Sequence, residues 1–246
     1  MFSKYIINSD TNLFNDLSTS VDFEDITIGR KGAILIDNNN NLIPIVRTTT
    51  NYNKPAQKFK DIHHKLIDMI RKVSNNDNLK FNNAMIELYD SRYKKMGYHT
   101  DQSLDLEDNS YICIFSCYDD IPATEIRKLK VKNKLSNNEF EFSLEHNSLI
   151  IFSTETNKKH QHKIILDKST VNKKWLGITF RLSKTYIKFD NNIPYFYPDN
   201  IILKMATDEE RKQFMKLKGL ENSNVEYTYP KIAYTISSND LMQIKE

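Results

Sequence analysis

Ser148-Leu149-Ile150-Ile151-Phe152-Ser153-Thr154-Glu155-Thr156-Asn157-Lys158-Lys159-His160-Gln161-His162-Lys163-Ile164-Ile165-Leu166 places two short apolar runs around a polar segment that carries two histidines. Each run is rich in Ile, Leu and Phe, of strand length and too short for an ordinary helix. The same pattern extends both ways: Ala84–Tyr89, Ser110–Cys117, Glu125–Val131, Glu139–Leu144, Ser148–Ser153, His162–Leu166 and Leu176–Leu182 are all short, apolar and split by turn residues. So many strands at such spacing imply a β-sandwich or a double-sheet barrel.

Upstream, residues 22–47 hold two strand-like runs, Asp25–Ile36 and Leu42–Arg47, joined by a turn at Asn38–Asn41. Phe59, Ile62, Leu66, Met69, Ile70 and Val73 then recur at helical spacing after Pro55, which predicts an amphipathic helix. His63 and His64 lie on it. Neighbouring helical residues diverge by about 100°, so the two do not chelate one metal, and they read as surface and groove residues. Beyond Tyr186–Phe189 the chain reads as irregular and aromatic. One further helix follows, with a capping box at Thr207 and Glu210 and an end at Gly219. Tyr227–Ile236 reads as a last strand or an extended segment laid on the body. The organisation expected is one domain in three stretches: 1–80 with the N-terminal strands and helix on the substrate-lid side, 81–186 as the core, and 187–246 as an extension with one helix. The fold class is α+β, mainly β.

The chain's 246 residues are 39% hydrophobic, enough to build a sizeable core and to exclude a disordered tail. A net charge of +3 is compatible with nucleic acid without demanding it. The excess of Asn, Lys and Ile is what an AT-rich coding genome produces, as in a protist or a large DNA virus. Cys113 and Cys117 fall on one face of one strand, too far apart to bond each other, and read as small buried hydrophobes in a reducing, intracellular setting of cytoplasm or nucleus. The opening residues show no secretory leader, and no apolar run reaches membrane-spanning length.

The chemistry concentrates at Tyr98-His99-Thr100-Asp101, where two metal-ligand types stand one residue apart and share a face if the segment is a strand. About sixty residues later comes His160-Gln161-His162. Two imidazoles and one carboxylate make a facial triad suited to ferrous iron, with coordination positions left for substrate and oxygen. His160 and His162 lie on the same side of an extended chain, so either is a candidate third ligand, and His146 belongs to a turn.

The order Tyr89, His99-Thr100-Asp101, Ser148–Phe152, Thr156-Asn157, His162 and Ile178-Thr179-Phe180-Arg181 resembles the AlkB-type 2-oxoglutarate/Fe(II) dioxygenases, over residues 40–185. The resemblance implies a double-stranded β-helix (jelly-roll) core, Fe(II) held by His99, Asp101 and His162, and 2-oxoglutarate as co-substrate. It assigns Arg181 and Tyr89 to the co-substrate's acid groups. Two positions depart from the family pattern: Trp175 stands where the strand motif opens with arginine, and Glu87 where an asparagine precedes the tyrosine. A carboxylate there repels an anion unless it is paired or protonated. Lys174 and Ser183 are the candidate replacements for the missing contacts.

The resemblance further implies oxidative demethylation of alkylated bases in DNA or RNA, with an unstacked base sandwiched between rings. The candidates for substrate contact are Arg47, Tyr52, Tyr93 and Tyr98, with phosphate contacts from Arg92, Lys94 and Lys95. The same core is compatible with a protein or peptide hydroxylase, and with a catalytically degenerate binding protein.

Overall fold

The computed structural model describes residues 1–37, 41–120, 126–167 and 173–244. In chain order the elements are β1 (Ser3–Ile6), α1 (Leu13–Ser20), β2 (Glu24–Thr27), β3 (Arg30–Ile36), β4 (Ile43–Pro44), β5 (Gln57–Lys58), α2 (Asp61–Ser74), β6 (Asn83–Tyr89), β7 (Tyr111–Tyr118), β8 (Lys128–Asn133), β9 (Glu139–Ser143) and β10 (Ser148–Ser153). They continue with α3 (Thr154–Lys159), β11 (His160–Ile165), β12 (Trp175–Arg181), β13 (Tyr186–Asp190), β14 (Ile193–Tyr197), β15 (Lys204–Met205), α4 (Asp208–Ser223) and β16 (Tyr234–Thr235).

Eight strands form the main sheet in the order β1-β10-β7-β12-β6-β3-β2, with β5 added beside β3. A second sheet, β11-β8-β9, packs across part of it. The period-two pattern of the central strands explains why the sheet is covered on both faces. On β7, β10 and β12, Cys113, Phe115, Cys117, Leu149, Ile151, Leu176, Ile178 and Phe180 turn towards α1 and α2. The alternate residues Ile112, Ile114, Ile150, Phe152 and Trp175 turn towards Leu129, Val131 and Ile164 of the second sheet. The fold is therefore mixed α+β, with a multi-stranded sheet between helices and a smaller sheet. Cys113 and Cys117 are buried free thiols, as read from the sequence.

Several expectations shift. Asp25–Ile36 is a β2–β3 hairpin rather than one strand, turned at Gly29, whose φ of 72° suits glycine. Leu42–Arg47 contributes only the short β4. The turn expected at Asn38–Asn41 lies for the most part outside the described residues, as does Glu125 at the head of its strand. The aromatic stretch after Tyr186 is a regular hairpin: Asn191 and Asn192, with φ of 47° and 65°, supply the two left-handed residues that a tight hairpin turn needs. Strand β1, which pairs with β10, and helices α1 and α3 had no clear sequence signal.

His63 corrects another expectation. It is fully buried under α1, its Nδ1 accepting the Lys60 backbone N–H at 2.8 Å and its Nε2 lying 3.1 Å from Ser20 Oγ. Burial, helped by Lys60 and His64, pushes its pKa down to about 4. The unfolded chain, with an ordinary histidine, binds this proton more readily. The contribution to stability is thus complete above pH 6.5 and is lost as pH falls towards 4. Replacing His63→Gln is expected to shrink the difference in unfolding free energy between pH 7 and pH 5 by about 2 kcal/mol, measured by urea denaturation at both pH values. An unchanged difference would show that the ring takes up its proton as readily in the folded protein as in the unfolded chain.

Candidate metal centre and cavity

His162 sits in β11, and His99 is joined to it by a single antiparallel bridge outside any longer strand. His99 N donates to His162 O at 3.0 Å, and His162 N donates to His99 O at 2.7 Å. The expected strand through His99 and Asp101 is thus one bridge followed by a loop, and the loop is held from outside. Asn157 in α3 brackets Asp101: its Oδ1 accepts Asp101 N at 3.1 Å and its Nδ2 donates to Asp101 O at 2.7 Å. Thr156-Asn157, a motif element without an evident role in the sequence, is what fixes the carboxylate's backbone.

The donor atoms of His99, Asp101 and His162 all lie within 4.8 Å of one another. Asp101 Oδ1 is 3.8 Å from His99 Nε2 and 3.5 Å from His162 Nε2. Three ligands on one face of a six-coordinate ion, with bonds of about 2.1 Å, stand about 3 Å apart, so the set needs only to close slightly. His99 Nδ1 faces Gly97 O at 3.1 Å, which leaves Nε2 for the metal. The second oxygen of Asp101 takes both Nε and Nη2 of Arg181 at 2.9 Å. Burial opposes ionisation of Asp101, but Arg181 and the two imidazoles hold the carboxyl well below the usual carboxylate range. Burial and the neighbouring His162 push His99 down to about 3, so it is a neutral imidazole, the form that ligates. The residues fit a divalent metal. His160 turns aside: its Nδ1 faces Thr156 O at 2.8 Å.

Beside the triad opens a cavity of about 320 Å³, lined by residues from the main sheet, from the loops before and after His99 and from α4. Arg30, Met85, Glu87 and Arg181 come from the main sheet, Thr48, Thr49 and Thr50 from the segment after β4, and Tyr93, Met96 and Tyr98 from the segment before His99. Tyr93 and Tyr98, proposed from sequence, are thus brought to it, and Lys163 Nζ stands 4.0 Å from the Tyr98 ring centre. Other candidates are placed elsewhere. Arg47 is buried, with its guanidinium on Asp105 (2.7 and 3.0 Å) and on the carbonyls of Ile232 and Tyr234. Tyr52 is 2% exposed, with its ring against Gly32. Ser183 Oγ donates across to Ile45 O at 2.6 Å, and Lys174 lies at the far end of β12, its backbone N–H on Asp119. None of these four lines the cavity.

Two residues that the sequence reading missed stand here. Arg30 pairs with Glu87, its Nε donating to Oε1 at 2.6 Å. Lys218 of α4 lines the cavity, donating to Thr100 O and pairing with Glu221 at 3.3 Å. Helix α4 runs past Gly219 to Ser223 because its last turn docks on the ligand loop. Glu221 accepts from Ser103 N at 2.8 Å and Ser103 Oγ at 2.7 Å, and Asn222 accepts Thr100 N at 2.9 Å. The contacts are tertiary, so a stop signal read from Gly219 alone misses them.

A sequence profile of the 2OG-Fe(II) oxygenase superfamily matches residues 36–181. No curated protein sequence matches the chain. Similar solved structures include that of OsALKBH1, 12% identical over 74% of this chain and 96% of that one with a TM-score of 0.49. A prolyl-4-hydroxylase of Pseudomonas putida is 11% identical over 74% and 92%, with a TM-score of 0.42.

Loss of Asn157, which orients a ligand without touching metal, is expected to weaken Co(II) or Fe(II) binding by about 10- to 100-fold in Asn157→Ala, read by anaerobic titration. Arg47→Met should leave that affinity unchanged while costing about 3–5 kcal/mol of stability, because it strands the buried Asp105 charge. Weakened metal binding without loss of stability would instead assign Arg47 to the site.

Proposed function

Because this chain belongs to the 2OG-Fe(II) oxygenase superfamily, we propose that it is an Fe(II)- and 2-oxoglutarate-dependent dioxygenase of the AlkB type, on a double-stranded β-helix core, that oxidatively demethylates alkylated bases in DNA or RNA. The observation that carries the reading is the convergence of His99, Asp101 and His162 beside the cavity. These three side chains would hold the iron, and Arg181 orients Asp101 and keeps it ionised. When bound, ferrous iron and 2-oxoglutarate would supply the oxidising chemistry with dioxygen as oxidant, one oxygen atom going to the target carbon and the other into the succinate that leaves with carbon dioxide. The protein's part is to orient the target C–H bond and to exclude water.

The nucleic-acid substrate is supported by the two tyrosine faces at the cavity, Tyr93 and Tyr98, and by Lys163 over Tyr98. Half-buried rings lining a cavity, one of them beside a lysine, suit a flipped or single-stranded base and its phosphate.

With Fe(II) and 2-oxoglutarate, the protein is expected to form succinate and to release formaldehyde from oligonucleotides carrying N-methylated bases. His99→Ala should abolish both. Tyr98→Ala should lose formaldehyde release while keeping succinate formation in the absence of substrate. Succinate formation with no formaldehyde from any methylated oligonucleotide would move the assignment to a protein or peptide substrate. Succinate formation that survives His99→Ala would remove the ligand assignment.

A further inference from the structure

We propose that the carboxylate of Glu87 occupies the subsite for the distal carboxylate of 2-oxoglutarate, with Arg30 as that subsite's cation, so that the co-substrate binds by displacing the protein's own side chain. The inference rests on the function proposed above and names how this chain handles its co-substrate.

2-Oxoglutarate carries a carboxylate at each end. One end and the ketone suit the open metal positions, and the other end needs a cation and a hydroxyl farther into the cavity. The cationic side chains lining the cavity among the described residues are Arg30, Arg181 and Lys218. Arg181 is turned onto Asp101, and Lys218 is held at the ligand loop by Thr100 O and Glu221. Arg30 stands apart. In the main sheet Arg30 is directly opposite Tyr89, which is directly opposite Trp175 on its other side. Directly paired residues share a face, so these three side chains form one level of the sheet.

Glu87, two residues before Tyr89, projects from the same face. Its Oε1 accepts from Arg30 Nε at 2.6 Å, and its Oε2 accepts from the Tyr89 hydroxyl at 2.6 Å. Thr50 Oγ1, 3.4 Å from Arg30 Nη2, steadies the guanidinium. A planar guanidinium and a phenol closing on one carboxylate form a complete carboxylate-recognition site, and its occupant here is the protein's own. Glu87 lines the cavity while Tyr89 lies behind it, fully buried. Trp175 does not supply another cation: its ring lies over Gly177, the cross-strand partner of Glu87, and its Nε1 donates to Ser116 Oγ. A tethered carboxylate competes at high effective concentration and repels a free one, so the second carboxylate of 2-oxoglutarate adds little affinity.

The test is anaerobic titration of the Fe(II)-loaded protein, followed by calorimetry and by the fluorescence of Trp175, the chain's single tryptophan, which packs on Tyr89 at 4.9 Å. The probes are 2-oxoglutarate and 2-oxobutyrate, which lacks the distal carboxylate. In the wild type the two are expected to bind within about threefold of each other, whereas a free clamp would favour 2-oxoglutarate by about 100-fold. Glu87→Gln should tighten 2-oxoglutarate by about tenfold or more and leave 2-oxobutyrate unchanged, and adding Arg30→Met should cancel the gain. A wild-type preference of 100-fold for 2-oxoglutarate, or no tightening in Glu87→Gln, overturns the inference alone. Failure of the wild type to bind Fe(II) overturns the proposed function and this inference with it. The wild-type comparison does not depend on the variants folding.

Discussion

Asp101 carries two demands that only a buried, fully oriented carboxylate can meet. One oxygen must face His99 and His162, and the other must satisfy Arg181, in a place from which water is largely excluded. An unpaired charge there would cost several kcal/mol, so the ion pair, the bridge between His99 and His162 and the Asn157 bracket form one interdependent set. Moving any of them leaves a buried donor or acceptor without its partner. The rest of the fold supplies the walls for this set: β11 from the small sheet, β12 from the large one, and α3 bridging from β10 into β11.

The remaining buried charges follow the same logic. Arg47 ties Asp105, just past the ligand loop, to the carbonyls of the C-terminal segment. Arg127 stacks on Tyr89 and Trp175 and donates to the carbonyls of Asp90 and Tyr93, sealing the space behind Glu87. Helix α4 brings Lys218, Glu221 and Asn222 onto residues 100–103. Residues 208–223 lie outside the span matched by the superfamily profile, yet they complete one wall of the cavity. The ligand loop has little regular backbone pairing of its own, so side chains from distant segments do the work that a longer strand would do.

The strands were legible wherever the two faces of the sheet differ in composition from the turns. Ala84–Tyr89, Ser148–Ser153 and Leu176–Leu182 fall within a residue or so of β6, β10 and β12 because both faces are largely buried and the runs are mostly apolar. The β13–β14 hairpin was read as irregular because asparagine, rather than glycine, takes its left-handed positions. Arg47 and Tyr52 looked like substrate contacts because a cation and an aromatic ring near a site suggest recognition. Their burial against Asp105 and Gly32 could not be seen in one dimension.

The amino-acid sequence by itself determined the strand-rich character of the chain, the identity of the three metal-ligand candidates and their order. Those follow from local periodicity and from residue chemistry, which need no partner to be read. Which groups those side chains meet was decided only when the chain folded. Arg181 turns to Asp101, Arg30 reaches Glu87 from 57 residues earlier in the chain, and Lys218 arrives from a helix after the core. Ion pairs and hydrogen bonds act over a few ångströms and are indifferent to distance along the chain, so only the packed structure can assign them.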